Sequence, residues 1–261
     1  GVLVKETTPK FGALYVGAIG MGVTAALAVV IAAVAGAITW NAPITTALAG
    51  LVVMAAVLST IGRIWFVQAL ALGDVSLVFP VTNGLFILYT ITGSVLLFDE
   101  PVTWTIVVGG VLILTGMALV SISSGTQGDS DNTGGGSNRL LAFGLGAIAA
   151  FTLAMGVLGI NRVVEDVDPL LVNAMRTPLM VAMVLGLAQA RRGKSTAAGA
   201  TRRDLGRVWL SGLLAGGSSV TFVSALALSS PATVVVLNST SPVFAAVLAM
   251  AYLHEQITPR V

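Results

Sequence analysis

The sequence contains no cysteine, and only 9% of its 261 residues are charged. The absence of cysteine excludes disulfide bonds, thiolate metal sites and a cysteine nucleophile. Soluble domains carry about 25% charged and roughly 45–50% apolar residues, whereas 56% of this chain is hydrophobic. Such a composition is typical of a membrane protein. The formal net charge of +2 is too small to indicate nucleic-acid binding, and the composition makes the lipid bilayer the expected partner.

Clusters of ionisable side chains are also missing. The one histidine, His254, stands beside Glu255 at a predicted helix end, and the acidic residues fall in predicted loops. Metal binding and acid–base catalysis usually need clustered His, Asp or Glu, so a membrane-embedded lipid-modifying enzyme is the weaker alternative. No Gly-x-x-x-x-Gly-Lys-Ser/Thr motif is present for direct ATP coupling. We therefore expect no cofactor and no metal, and no acid deep in a span serves as an obvious proton carrier.

One helical unit occurs twice in the chain, at residues 67–103 and 223–258. Each copy begins with Ala-Leu-Ala-Leu, turns through small polar residues and then runs apolar for about 20 residues, enough to cross a bilayer. Each run carries an early asparagine and ends at a glutamate, which a threonine follows three residues later. A long repeated helical unit in a membrane protein is typical of a transporter built from repeats.

The repeat predicts an all-α, polytopic membrane helix bundle of two inverted five-helix repeats. Residues 1–124 form the first repeat, residues 125–139 a flexible Gly-, Ser- and Asp-rich linker, and residues 140–261 the second repeat. In a comparison of the halves, residues 1–4 correspond to the end of a helix, and nothing after Glu255 corresponds to the span after Glu100. We therefore expect that the first helix is truncated here and that the tenth is missing.

Several short motifs match one transporter family in their order. The second half has Ser-Pro-Val-Phe at 241–244 and Glu-Gln-Ile-Thr at 255–258, and the first half has Glu-Pro-Val-Thr at 100–103. Phe-Ile-Leu-Tyr at 86–89 departs from the Ser-Pro element. With the two Ala-Leu-Ala-Leu segments and Arg176, this order resembles the EamA-type members of the drug/metabolite transporter superfamily over essentially the whole chain.

The resemblance implies an integral membrane transporter of small metabolites, often an exporter of amino acids or related compounds, without a bound cofactor. Two repeats that rock around a midplane site would provide alternating access, and an uncoupled channel-like facilitator is a further alternative. We expect a multi-pass protein of the cell membrane, in the simplest case the plasma membrane of a prokaryote. Family members are drawn with both ends in the cytoplasm, whereas the basic segment 191–207 favours a cytoplasmic loop and, with ten helices, external ends.

Polar and aromatic side chains inside the spans are the candidates for substrate binding, because polar groups are costly in a bilayer. Arg63 either faces a cavity, where it would attract a carboxylate or phosphate, or extends towards the headgroups. The other candidates are Trp65, Gln68, Asn83, Phe86, Asn173, Arg176 and Asn238.

Helical spacing groups some of these candidates. Trp65 and Gln68 are three residues apart and share one face, and Asn83 shares a face with Phe86 that suits a cavity wall or packing on a neighbour. Asn83 and Asn238 occupy equivalent positions in the two copies. They either bind substrate as a pair or form interhelical hydrogen bonds.

Two further features have a structural alternative. Arg176 either contacts substrate or pairs with Asp166 or Asp168. Gly212-x-x-x-Gly216 is a close-packing signature, which predicts tight helix packing either inside the fold or at the contact of a homodimer.

Overall fold

In this computed structural model, the described residues are 13–38, 44–73, 75–101, 103–104, 106–112, 115–116, 136–190 and 202–240, and all regular structure among them is helical. The helices are α1 (Ala13–Val34), α2 (Thr46–Leu72), α3 (Val75–Phe98), α4 (Gly136–Val164), α5 (Pro169–Ala190), α6 (Arg202–Leu228) and α7 (Pro231–Asn238). Residues 104, 106–112 and 115–116 are helical as well, within the predicted fifth span.

Five of these helices, α2 to α6, are long and apolar enough to cross a membrane, and α1 adds the shorter apolar segment Ile19–Val34. This confirms the predicted polytopic helix bundle. Two boundaries differ from the prediction: α4 begins inside the predicted linker, at Gly136, and α6 begins inside the predicted basic loop, at Arg202. Predictions for residues 1–4, 125–135, 191–201 and 241–261, including His254, the Ser-Pro element and Glu255, lie outside the described residues.

Local side-chain chemistry explains where two helices begin. At the start of α5, Oδ1 of Asp168 accepts a hydrogen bond from the backbone N–H of Leu170 at 2.8 Å. At the start of α7, Oγ of Ser230 accepts one from the backbone N–H of Thr233. Proline follows each capping residue, in the first helical position where its missing N–H costs nothing. The capping side chains therefore bind backbone N–H groups that the helices themselves leave without partners.

The end of α3 is set by a residue in the left-handed region. Asp99 has a φ of 50°, which aspartate adopts more readily than most residues with a side chain. The chain turns here, and the carboxylate of Glu100 accepts a hydrogen bond from the hydroxyl of Ser94, which is fully buried. Glu100 thus stabilises the last turn of α3.

Contacts divide the chain into two compact units. The first unit comprises Gly1–Thr60 and Gly159–Leu228, and the second comprises Ile61–Leu158 and Ser229–Val261. Each unit contains segments of both predicted repeats, because a repeat is defined by sequence and a compact unit by contacts. The repeat boundaries stay a prediction.

In the first unit, α5 and α6 form an antiparallel hairpin. Asn173 lies 17 residues before Ala190, where α5 ends, and Ser219 lies 17 residues after Arg202, where α6 begins. The side chains of Asn173 and Ser219 are hydrogen-bonded to each other. If the helices were parallel, the end of α5 and the start of α6 would be roughly 50 Å apart. The connecting residues 191–201 can span at most about 43 Å, so the helices are antiparallel.

In the same unit, α1 and α6 run in the same direction. A Cβ atom placed on Gly212 would lie 2.7 Å from the carbonyl oxygen of Gly20, and one on Gly216 would lie 2.9 Å from Cδ2 of Leu27. Residues further towards the C-terminus of α6 therefore contact residues further towards the C-terminus of α1, so the two helices are parallel. The hydroxyl of Thr24 also donates across this interface to the carbonyl oxygen of Gly212, at 3.0 Å. The predicted glycine motif therefore packs inside the fold.

These two directions make α1 and α5, which also pack on each other, antiparallel. The two helices are counterparts in the predicted repeats, since each has a short loop before it and a proline, Pro9 or Pro169, at or near its start. Inverted repeats require that counterpart helices cross the membrane in opposite senses. The packing of the first unit meets this requirement.

The second unit is built around α3 and α4. Tyr89 and Phe151 form an edge-to-face pair with ring centroids 5.6 Å apart. Nearer the start of both helices, a Cβ atom on Gly146 would lie 2.6 Å from the hydroxyl oxygen of Thr82. The contact that comes earlier in α3 also comes earlier in α4, so α3 and α4 are parallel. In this unit α7 also packs on α3.

Candidate functional site

Arg63 lies on an exposed face of α2. Its side chain, like those of Val67 and Ala71 at the following turns, is exposed. The residue is nine positions from Leu72, the end of the span, which corresponds to about 13 Å along the helix. Among the described residues, Arg63 makes no hydrogen bond or ion pair. A guanidinium at this depth requires a counter-charge, water or a polar ligand.

Trp65 and Gln68 are both half-buried. At about 100° per residue, Gln68 lies roughly 140° around α2 from Arg63, so the two side chains do not share a face. Gly62, which is buried, faces α4, since a Cβ atom there would lie 2.7 Å from Oγ1 of Thr152. The predicted candidates on α2 therefore divide between different sides of the helix.

Asn83 and Phe86 are half-buried on α3. Nδ2 of Asn83 donates a hydrogen bond to the backbone carbonyl oxygen of Phe79 at 2.8 Å. The hydroxyl of Thr90 donates one to the backbone carbonyl oxygen of Phe86, also at 2.8 Å. Both bonds stay within the helix, which reduces the cost of the polar groups in lipid. Oδ1 of Asn83 remains an acceptor that could face a substrate donor.

Asn238 is exposed and is the last residue of α7. It is the eighth residue of its helix, and Asn83 is the ninth residue of α3, so the two asparagines lie at nearly the same distance from the starts of their helices. The end of the helix here has a local cause in the sequence. Pro242, four residues later, has no N–H to donate to the carbonyl oxygen of Asn238. The substrate-binding role of this pair stays a prediction.

Asn173 is the most deeply buried of the candidates. Its side chain is fully buried in the first unit, where its Oδ1 accepts a hydrogen bond from the hydroxyl of Ser219 at 3.0 Å. Its Nδ2 has no hydrogen-bond partner among the described residues. An amide that is only half satisfied is costly in an apolar interior.

Arg176 is half-buried on α5, one turn after Asn173. The acids proposed as its partners are engaged elsewhere. Asp166 lies 3.3 Å from Arg162, which also pairs with Glu165, and Asp168 caps α5. The role of Arg176, as a partner of one of these acids or as a substrate contact, stays a prediction.

Replacing Asn173 with leucine separates packing from function. Leucine has a similar volume and no polar group, and we combine it with Ser219→Ala so that no hydroxyl loses its acceptor; the free energy of unfolding of this leucine variant should then stay unchanged or rise by about 1 kcal/mol. Asn173→Ala should lower it by about 1–3 kcal/mol, because it leaves a cavity. Thermal unfolding in detergent measures both changes. A leucine variant as unstable as the alanine variant would show that the amide is needed for stability, and a stable leucine variant that cannot transport would assign the amide to function.

Two polar contacts were not anticipated from the sequence. Ser219 bonds to Asn173, 46 residues away, and Ser94 bonds to Glu100. The only sequence signal for either serine is a hydroxyl within an apolar run, which is common in membrane helices. Among the described residues there is no group of three or more His, Asp or Glu that could hold a metal ion.

The comparisons with known proteins bear on the second half of the chain. Residues 140–261 match the profile of the EamA-like transporter family. A search of curated proteins found no match.

Proposed function

We propose that this chain, whose residues 140–261 are an EamA domain of the drug/metabolite transporter superfamily, is a secondary transporter that exports small metabolites across the cell membrane. The family match and the apolar helices make it a multi-pass membrane protein of the transporter type. The single observation that carries the proposal is the family match. The antiparallel counterpart helices α1 and α5 support it, since alternating access by inverted repeats needs them.

The substrate that we propose is an amino acid or a related compound that carries a carboxylate. Arg63 supports this class, because it is a cation on an exposed face of a span and the described residues provide no counter-charge. A guanidinium binds a carboxylate through two parallel hydrogen bonds. Asn83 and Asn238 would contribute amide groups from similar positions in their helices, which suits the polar groups of an amino acid.

The free energy for export would come from the substrate's own gradient or from an ion gradient. Acidic residues in the described spans are absent between Thr46 and Leu72 and between Pro169 and Leu187. Passage that is not coupled to protons is therefore the simplest form of the proposal.

The proposal is tested with the gene that encodes this chain, expressed in a host that is hypersensitive to accumulated amino acids. Expression should restore growth on the exported compound and lower its concentration inside the cells. Purified protein in liposomes should then carry that compound at the turnover of a carrier, whereas much larger flux per protein would indicate a channel. Release of no amino acid or related metabolite in either assay would overturn the proposal.

A further inference from the structure

An apolar groove runs along the surface of the first unit between α1 and α6. Its volume is about 420 Å³, and its lining includes Ile19, Gly22, Ala26 and Val30 from α1 with Trp209 and Leu213 from α6. None of the candidate substrate residues lines it. The volume is within the range of roughly 300–1,000 Å³ that is usual for ligand sites.

The dimensions of the groove match one leaflet of a bilayer. From Ile19 to Val30 the α1 side extends over 11 residues, or about 16 Å. The hydrocarbon core of a bilayer is about 30 Å thick, so the groove has about the depth of a single layer of acyl chains. Trp209 stands at one end with its side chain about half exposed (53%), as is usual for tryptophan near the membrane interface.

An acyl chain is the occupant that the physics of the bilayer favours. Water is disfavoured, because a bound water needs two to four polar partners and this lining is almost wholly apolar. An empty groove would leave its lining atoms without dispersion partners, and acyl chains are the solvent at this depth. Since apolar contact does not discriminate between acyl chains, any selection among lipids must come from the headgroup.

A cation stands where the headgroup would lie. Arg202 is exposed and precedes Leu205, the first residue of the α6 span. It is seven residues, or two helical turns, before Trp209, so both lie on one face of α6 about 10 Å apart along the axis. Because α1 and α6 are parallel, this end of α6 is next to the Ile19 end of the groove. The apolar groove thus leads directly to a positive charge.

We propose that this groove binds an anionic phospholipid, with one acyl chain between α1 and α6 and the headgroup at Arg202. Guanidinium groups at the membrane surface attract anionic headgroups and bind phosphate. The site does not depend on the transported substrate or on the direction of transport.

Fluorescence of Trp209 tests the proposal in vesicles. The variant retains Trp209 and carries phenylalanine at the other three tryptophans, Trp40, Trp65 and Trp104. It is reconstituted in phosphatidylcholine that contains either dibrominated phosphatidylglycerol or dibrominated phosphatidylcholine as quencher. We expect phosphatidylglycerol to bind next to Trp209 about five-fold more strongly, the effect of one arginine near the surface.

Charge-matched variants assign this preference to one side chain. Arg202→Gln should abolish it. Arg207→Gln should retain it, because the exposed Arg207 lies roughly 140° around the helix from Arg202. Equal quenching by the two lipids before any substitution at these arginines, or a preference that survives Arg202→Gln, would overturn the proposal.

Filling the groove gives an independent readout. A Cβ atom on Gly22 would meet nothing within 4 Å, so Gly22→Leu should fold normally, occupy the groove and reduce quenching by both lipids. Gly186→Leu is the control, since a Cβ atom there also meets nothing within 4 Å and the residue lies on α5. If neither lipid quenches Trp209 in the parent protein, a protein segment or a second copy covers the groove and the proposal fails.

Discussion

Gly212→Ala is expected to lower the free energy of unfolding by about 2–3 kcal/mol, the cost of forcing an extra methyl group into a packed interface together with a weakened interhelical hydrogen bond. The new Cβ atom would lie 2.7 Å from both the carbonyl oxygen of Gly20 and Cβ of Val23. Backbone atoms of a helix cannot move aside as a flexible side chain can, so α1 and α6 must separate. Their separation would lengthen the bond from Thr24 to Gly212, now 3.0 Å.

Two other glycines of α6 provide a graded control. At Gly216 the closest atom to a new Cβ would be Cδ2 of Leu27 at 2.9 Å, a side-chain end that can rotate, so alanine there should cost less. At Gly217 nothing lies within 4 Å, and alanine should be neutral or stabilise by up to about 1 kcal/mol through its helix propensity. Thermal unfolding in one detergent compares all three variants. Equal stability of Gly212→Ala and Gly217→Ala would contradict the described packing of α1 on α6.

Arg63→Gln is expected to reduce transport of a carboxylate-bearing substrate by ten- to a hundred-fold. The estimate is the loss of a hydrogen-bonded interaction with a charged group, about 1.5–3 kcal/mol. Arg63→Lys should have an intermediate effect, because lysine keeps the charge and loses the two-pronged geometry. Initial rates of uptake into liposomes, measured over a range of substrate concentrations, provide the comparison.

The matched control for this experiment is Arg162→Gln. Arg162 is an exposed arginine at the end of α4 that pairs with Glu165 and Asp166. Exposed ion pairs contribute little, about 0–1 kcal/mol, so this variant should transport at nearly the original rate. If Arg63→Gln folds and its apparent affinity for the substrate is unchanged, Arg63 is not part of the binding site.

Contacts between residues that are far apart in the sequence could not be predicted. The glycine motif predicted close packing but left its partner open, and the structure places Gly20 and Val23 opposite Gly212. The sequence gave no sign that Asp166 pairs with Arg162. For Asn173 the sequence indicated a polar group in a span and gave no sign of Ser219. In each case the chemistry of the residue was evident and the identity of its neighbour was not.

Apolar run length and capping chemistry are local properties, so the sequence alone was enough to predict a bundle of membrane helices and a family resemblance, and the capping residues Asp168 and Ser230 account for where α5 and α7 begin. The packing of the helices was needed to show which of them are neighbours, in which direction they run, and which faces Arg63 and Gly212 occupy. The lipid bilayer explains why the sequence does not show which faces of a helix meet its neighbours. In a bilayer a helix is apolar towards its neighbours and towards lipid alike, so no amphipathic pattern in the sequence distinguishes the two.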